Sequence, residues 1–188
     1  MLGKELETYL NGFGKYVIQQ SRSNLTKQKK NVDKNLYNSL NFEKNVSKNS
    51  FQLSFMMEDY GKFQDKGVKG KDPSKVSPNA RIQGQQAPNS PYRFGSGNFK
   101  GSWGDFKNNI ADWAKKRNIR LRDDKGRFKK GDYKTIAQII ASNIYARGIK
   151  PSLFFTKPFE KAFQTMPDEV LQAYALDVEK FLQSTIKK

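Results

Sequence analysis

The stretch from residue 67 to 102 constrains this chain most. It holds four of the seven prolines (Pro73, Pro78, Pro88, Pro91) and six of the fourteen glycines. That density rules out a regular helix or a central strand across it. Long segments without secondary structure are uncommon inside a compact domain, and they usually carry function or are ordered by a partner. Residues 88–97, Pro-Asn-Ser-Pro-Tyr-Arg-Phe-Gly-Ser-Gly, add aromatics that a solvated linker lacks. Pro88, Pro91, Tyr92 and Phe94 are therefore read as a candidate interface loop, and residues 67–102 are expected to be disordered in a free subunit and ordered in an assembly, their aromatics having no local partner.

The segments on either side carry clear periodicity. Leu2, Leu6, Leu10, Phe13 and Val17 recur at three- and four-residue steps, which predicts an amphipathic helix over 2–20. Gly12 and Gly14 each weaken it by about 1 kcal/mol relative to Ala. Residues 21–35 are polar and lysine-rich, and read either as a continuation of that helix or as a connector. Val32, Leu36 and Leu40 follow at four-residue spacing and predict a short helical turn. Residues 41–57 read as a β-hairpin: Phe42 and Val46 on one strand, Lys48-Asn49 at the turn, Phe51, Leu53 and Phe55 on one face of the other.

Helical spacing returns at 102–118, where Trp103, Phe106, Ile110 and Trp113 share one stripe and are expected to face a core. Residues 120–130 read as a basic turn or hairpin around Lys125-Gly126. A further helix is predicted from Tyr133 to Ala146, ending near Gly148. Phe154, Phe155, Phe159 and Phe163 come next. Pro167 then opens a last helix with Asp168 and Glu169 in its first turn, the apolar stripe Val170, Leu171, Tyr174, Val178, Phe181 and Leu182, and Lys187-Lys188 at its end. The expected fold class is α+β. It has a small antiparallel sheet, the hairpin at about 41–57, packed by an N-terminal helix and C-terminal helices. The chain is read as a single α+β domain, 1–188, with an irregular basic insertion at 67–131.

Composition narrows the function. No histidine and no cysteine occur, which removes the commonest general base, the thiolate nucleophile and zinc sites of the usual kind. Gly67-Val-Lys-Gly-Lys lacks the spacing of a phosphate-binding loop, and Ser96 has no activating base. The carboxylate pairs Glu58-Asp59 and Asp123-Asp124 sit among cations that favour the ionised form. Scattered carboxylates could still hold Mg²⁺ beside phosphate, but no enzymatic activity and no cofactor are expected. The longest uncharged stretch, Thr135 to Ala146, is twelve residues, too short to span a bilayer. The charged opening residues do not resemble a secretory leader. No membrane role is expected.

The formal net charge is +17, and ten of those surplus charges fall within residues 58–131. An excess of this size implies polyanionic surroundings. Arg93, Lys100, Lys115, Lys116, Arg117, Arg120, Arg122, Arg127, Lys129 and Lys130 are candidate contacts to DNA or to acidic partners, with Tyr92, Phe94, Phe99 and Trp103 interleaved. Cations in the last turn of a helix also complement its dipole. No zinc finger, ribonucleoprotein or basic-zipper signature is present. The preferred reading is that the aromatics fill a core or an interface, and a channel wall that DNA passes without being read satisfies both.

Three segments carry a resemblance. Asn35-Leu-Tyr-Asn-Ser-Leu40 precedes the hairpin, Met57-Glu-Asp-Tyr-Gly-Lys-Phe-Gln-Asp-Lys-Gly-Val-Lys-Gly70 follows it, and Gly148-Ile-Lys-Pro-Ser-Leu-Phe-Phe-Thr-Lys-Pro-Phe-Glu-Lys-Ala162 leads into the closing helix. This order resembles tail-completion and head–tail joining proteins of tailed bacteriophages. Arg122-Asp-Asp-Lys-Gly-Arg-Phe128 is similar to a segment in virion proteins of crAss-like phages. The resemblance covers residues 1–70 and 132–188, with Asn35 where the family often has Gly and a longer final helix than its simplest members. It implies a non-catalytic subunit of a homo-oligomeric ring in the neck or tail, around the DNA path. Neighbouring neck, portal or tail proteins and passing contact with genomic DNA are the implied partners. The virion is the implied location, with the host cytoplasm during assembly. The alternative is an accessory or packaging protein that binds nucleic acid without sequence preference.

Overall fold

The computed structural model of the chain describes residues 3–47, 50–97, 102–129 and 133–186. Leu2, Phe99, Lys100, Lys130, the Lys48-Asn49 turn, Lys187-Lys188 and the side chains of Phe181 and Leu182 lie outside the described residues. The fold is α+β, predominantly helical, and the chain divides into two compact units. One comprises residues 1–61 and 153–188, the other residues 62–152.

In the first unit, α1 (Lys4–Lys27) buries Leu6, Leu10, Phe13 and Val17, the stripe expected from the spacing. Each such side chain contributes about 1.5–3 kcal/mol on burial. The helix runs a further seven residues beyond the predicted end at residue 20, because the polar segment supplies two more inward positions. Leu25 is fully buried, and so is Ser21, whose hydroxyl donates to the Val17 carbonyl at 2.7 Å and so meets no desolvation penalty. A short α2 (Asn35–Ser39) then buries Leu36. Strands β1 (Asn41–Val46) and β2 (Phe51–Met56) pair antiparallel, with Phe42 opposite Phe55 and Val46 opposite Phe51. Phe42, Lys44 and Val46 turn inward and alternate with exposed Asn41, Glu43 and Asn45. Phe51 was expected on the buried face, yet beside the turn, opposite Val46, it remains exposed.

The hairpin lies close against α1. At Gly14 a Cβ would fall 2.5 Å from the Phe42 ring, so the glycine that costs helix propensity admits the sheet. Two further helices close this unit, α6 (Thr156–Phe163) and α7 (Met166–Ile186). Phe55 meets Phe155 and Phe159 edge-on at 5.3 and 5.8 Å, and Phe13 meets Phe159 at 6.0 Å. This aromatic cluster joins α1, β2 and α6 in one core.

The second unit starts in α3 (Gly61–Lys66), which spans the boundary, and β3 (Val68–Lys69) pairs antiparallel with β4 (Gly148–Ile149). The approach is tight. A Cβ at Gly70 would sit 2.0 Å from the Ala146 carbonyl, and Gly148 adopts φ +93 with its Cβ position 2.2 Å from the Val68 carbonyl. Only glycine fits at either place. Between these strands lie α4 (Trp103–Lys116) and α5 (Tyr133–Arg147), which pack on each other. Ser102 caps α4 by accepting from the Asp105 N–H at 3.0 Å, while Asp105 accepts from the Ser102 N–H, a reciprocal capping box. Among the described residues no helix is long and apolar enough to cross a membrane.

Candidate nucleic-acid and subunit interface

The interface loop is held from within its own unit. The Lys69 N–H donates to the Tyr92 carbonyl at 2.8 Å, and the Phe94 N–H returns to the Lys69 carbonyl at 2.9 Å. Arg93 thereby forms a parallel bridge with Lys69 and extends the β3–β4 pair by one backbone track. The Gln85 side chain accepts from the Gly70 N–H at 2.6 Å, the Gln86 N–H donates to the Arg147 carbonyl at 2.9 Å, and the Ser90 hydroxyl donates to the Gly67 carbonyl at 2.8 Å. Ala87 and Ser90 are buried by these ties, and Pro88 and Pro91 stand exposed beside them.

The aromatics of this loop were expected to lack local partners. They have them. Tyr92 packs edge-on against Phe63 with centroids 4.7 Å apart, and Phe94 lies 5.4 Å from Tyr145 and 6.1 Å from Phe106. The loop satisfies its polar backbone through side chains such as Gln85 and Ser90, which no hydrophobic pattern marks.

The α4 stripe departs from expectation in the opposite sense. Trp103 and Trp113 remain 40% and 38% exposed, Phe106 and Ile110 are half-buried, and Ala114 is the position of α4 that is fully buried. A helix packed on one partner buries only the line of closest approach, and in α4 a small residue occupies that line.

Beyond α4 the backbone folds into a small hairpin with an antiparallel bridge between Arg122 and Phe128 and Gly126 at φ +77 in its turn. The Asp123 N–H donates to the Arg127 carbonyl at 2.8 Å, and the Lys129 N–H to the Leu121 carbonyl at 2.8 Å. The candidate cations here have different duties. Arg127 is paired with Asp123 at 2.9 Å. Arg122 donates to the Gly126 carbonyl at 2.7 Å and stacks 4.2 Å above the Phe128 ring, so both arginines hold the hairpin together. Arg120 donates to Asn118 at 2.9 Å. Arg93, Lys115, Lys116, Arg117 and Lys129 are exposed. Lys125, part of the basic 115–130 stretch, is exposed on the same turn.

The unit also holds a cavity of about 770 Å³ between the loop, α4 and α5. Phe94, Trp103, Phe106 and Tyr145 form its walls, and Lys71, Asp72 and Lys75 stand at its rim. Asp72 accepts from the Ser74 hydroxyl and faces Lys75 at 3.5 Å, and these contacts, the hydroxyl first, hold its carboxyl below the usual carboxylate range. Burial pulls the nearby Arg147 guanidinium below its ordinary value, and it donates to the Ile82 carbonyl at 3.2 Å. Among the described residues no group of three or more acidic side chains is placed to hold a metal ion. Comparison with protein-family models, characterised proteins and solved structures found no match for this chain.

Proposed function

We propose that this chain is a structural subunit of a phage neck or tail ring, joining the portal side of the head to the tail around the DNA path. The observation that carries the reading is the β3–β4 pair. Two of the segments with the family resemblance, Met57 to Gly70 and Gly148 to Ala162, lie some eighty residues apart in sequence. They are hydrogen-bonded to each other through Val68 opposite Ile149 and Lys69 opposite Gly148. Their glycines, Gly70 and Gly148, are required by that contact. Residues that resemble a family motif and also make the closure of the fold are a stronger sign than motifs scattered over a surface.

The β1–β2 hairpin supports the same reading. It has no third strand among the described residues, so the outer edges of both strands are available to neighbours. Identical subunits joined head to tail close into a ring. The exposed cations of α4 and the 121–129 hairpin suit a surface that meets phosphate without reading bases.

Negative-stain microscopy and native mass spectrometry of the purified chain test the proposal. Closed rings of uniform copy number are the expected result. A chain that stays monomeric at high concentration and coats duplex DNA would overturn it in favour of a packaging or accessory role.

A further inference from the structure

The aromatic cavity of the 62–152 unit has the makings of a binding site. Its volume of about 770 Å³ lies within the range of small-ligand pockets. Trp103 stands edge-on to Tyr145 with centroids 5.4 Å apart, and Phe94 approaches Tyr145 from the loop side at the same distance. With Trp103 40% exposed, flat ring surface is left uncovered.

Three polar groups lie beside those rings with no hydrogen bond or ion pair of their side chains among the described residues. Among the described residues the Asn143 amide and the Tyr145 hydroxyl make no hydrogen bond, and both residues are only half-buried in the cavity wall. The Lys71 ammonium forms no ion pair among the described residues and rests 5.8 Å over the Tyr145 ring. Lys75, by contrast, is turned toward Asp72.

A ligand that satisfies all of this has a flat aromatic face, a hydrogen-bonding edge and an attached anion. An apolar ring leaves the amide and the ammonium unmatched, and an aliphatic anion leaves the rings bare. An unmodified aromatic side chain from another protein carries no anion on its ring, and a phosphotyrosine ring offers no hydrogen-bonding edge besides its phosphate. We propose that this cavity binds a nucleotide, the base stacked on the Trp103 and Phe94 side, its edge toward Asn143 and its phosphate toward Lys71. A free nucleotide and one unit of a single strand present the same chemistry. The inference does not depend on the ring reading, since the site lies wholly within one unit.

The test uses the full chain carrying Trp113→Phe, so that Trp103 is the only tryptophan, titrated with thymidine 5′-phosphate, thymidine, a short oligothymidylate and a peptide ending in Phe. Saturable quenching of Trp103 by the nucleotide or the oligonucleotide is expected. Lys71→Glu should weaken nucleotide binding about tenfold or more and leave thymidine nearly unaffected, and Asn143→Ala should weaken both. Quenching by the mononucleotide assigns the site to free nucleotides, and quenching by the oligonucleotide alone assigns it to a strand. No saturable quenching by either would overturn the proposal. So would binding of the peptide alone, or phosphate dependence that survives Lys71→Glu and vanishes with Lys125→Ala and Lys129→Ala. Far-ultraviolet dichroism of each variant confirms that it is folded, and ring formation is scored separately by microscopy.

Discussion

Asp177, near the end of the chain, caps the first helix: its carboxylate accepts the Leu6 N–H at 3.1 Å and is itself almost fully buried. The same carboxylate accepts from the Glu5 N–H at 3.1 Å. The residue at the usual capping position is Gly3, which has no side chain to offer. A residue more than 170 positions away supplies what the local sequence lacks, and it ties α7 to the start of α1. Asp177→Ala should cost about 1–2 kcal/mol, the range for losing a helix cap. Asp177→Asn, which keeps an acceptor, should recover part of it. Urea unfolding of both variants gives the comparison.

The two glycines of α1 should respond to alanine with opposite signs. Gly12 is exposed and a Cβ there meets nothing within 4 Å, so Gly12→Ala should stabilise the chain by up to about 1 kcal/mol. Gly14→Ala drives a methyl group into the Phe42 ring and should destabilise by about 1–3 kcal/mol. Melting temperatures that rise for one and fall for the other are the expected result.

Trp113→Ala should cost about 1–2 kcal/mol. A fully buried large aromatic would cost roughly 3–5 kcal/mol, but this indole keeps 38% of its surface in solvent. Chemical denaturation of the isolated chain measures the difference. A loss near the top of the larger range would mean that the stripe is core after all.

The lysines of the 121–129 hairpin should matter for binding and hardly for folding. Lys125 and Lys129 are exposed and contribute no side-chain hydrogen bond or ion pair to the hairpin among the described residues. Replacing both with alanine should change stability by less than about 0.5 kcal/mol each. The slope of log affinity for duplex DNA against log salt should become shallower by roughly two. Arg127→Ala breaks the pair with Asp123 and should loosen the hairpin as well, which amide exchange at Asp123 and Lys129 reads directly.

Much of the fold is legible from spacing alone, because one-sided burial imposes its period on a sequence. The α1 stripe, the alternation of β1 and the glycine turn at Gly126 are visible for that reason. What spacing hides is contact made by backbone and by polar side chains. Ser21 looks like surface until its bond to Val17 is seen, and Gln85 and Ser90 give no hint that they anchor a proline-rich loop. The α4 stripe misleads for a related reason: periodicity shows which residues share a face, and not how much of that face a single neighbouring helix can cover. Phe94 and Trp103 stand out in the sequence as interleaved aromatics, but their meeting with Tyr145 does not, because the three come from separate segments.

The β3–β4 clasp also fixes where the 62–152 unit begins and ends. The Ser152 N–H and hydroxyl both reach the Gln64 carbonyl, at 3.2 and 2.6 Å, so the incoming and outgoing chains run side by side. A unit whose ends meet can be lifted out and replaced by a tight turn, or grafted into a loop of another protein, with little demand on its host. Closing so long an excursion carries a large entropic cost before the clasp returns any energy. The last hydrogen bonds to form on refolding should therefore be those between Val68 and Ile149, and until they form this unit is a tethered loop and not yet a domain.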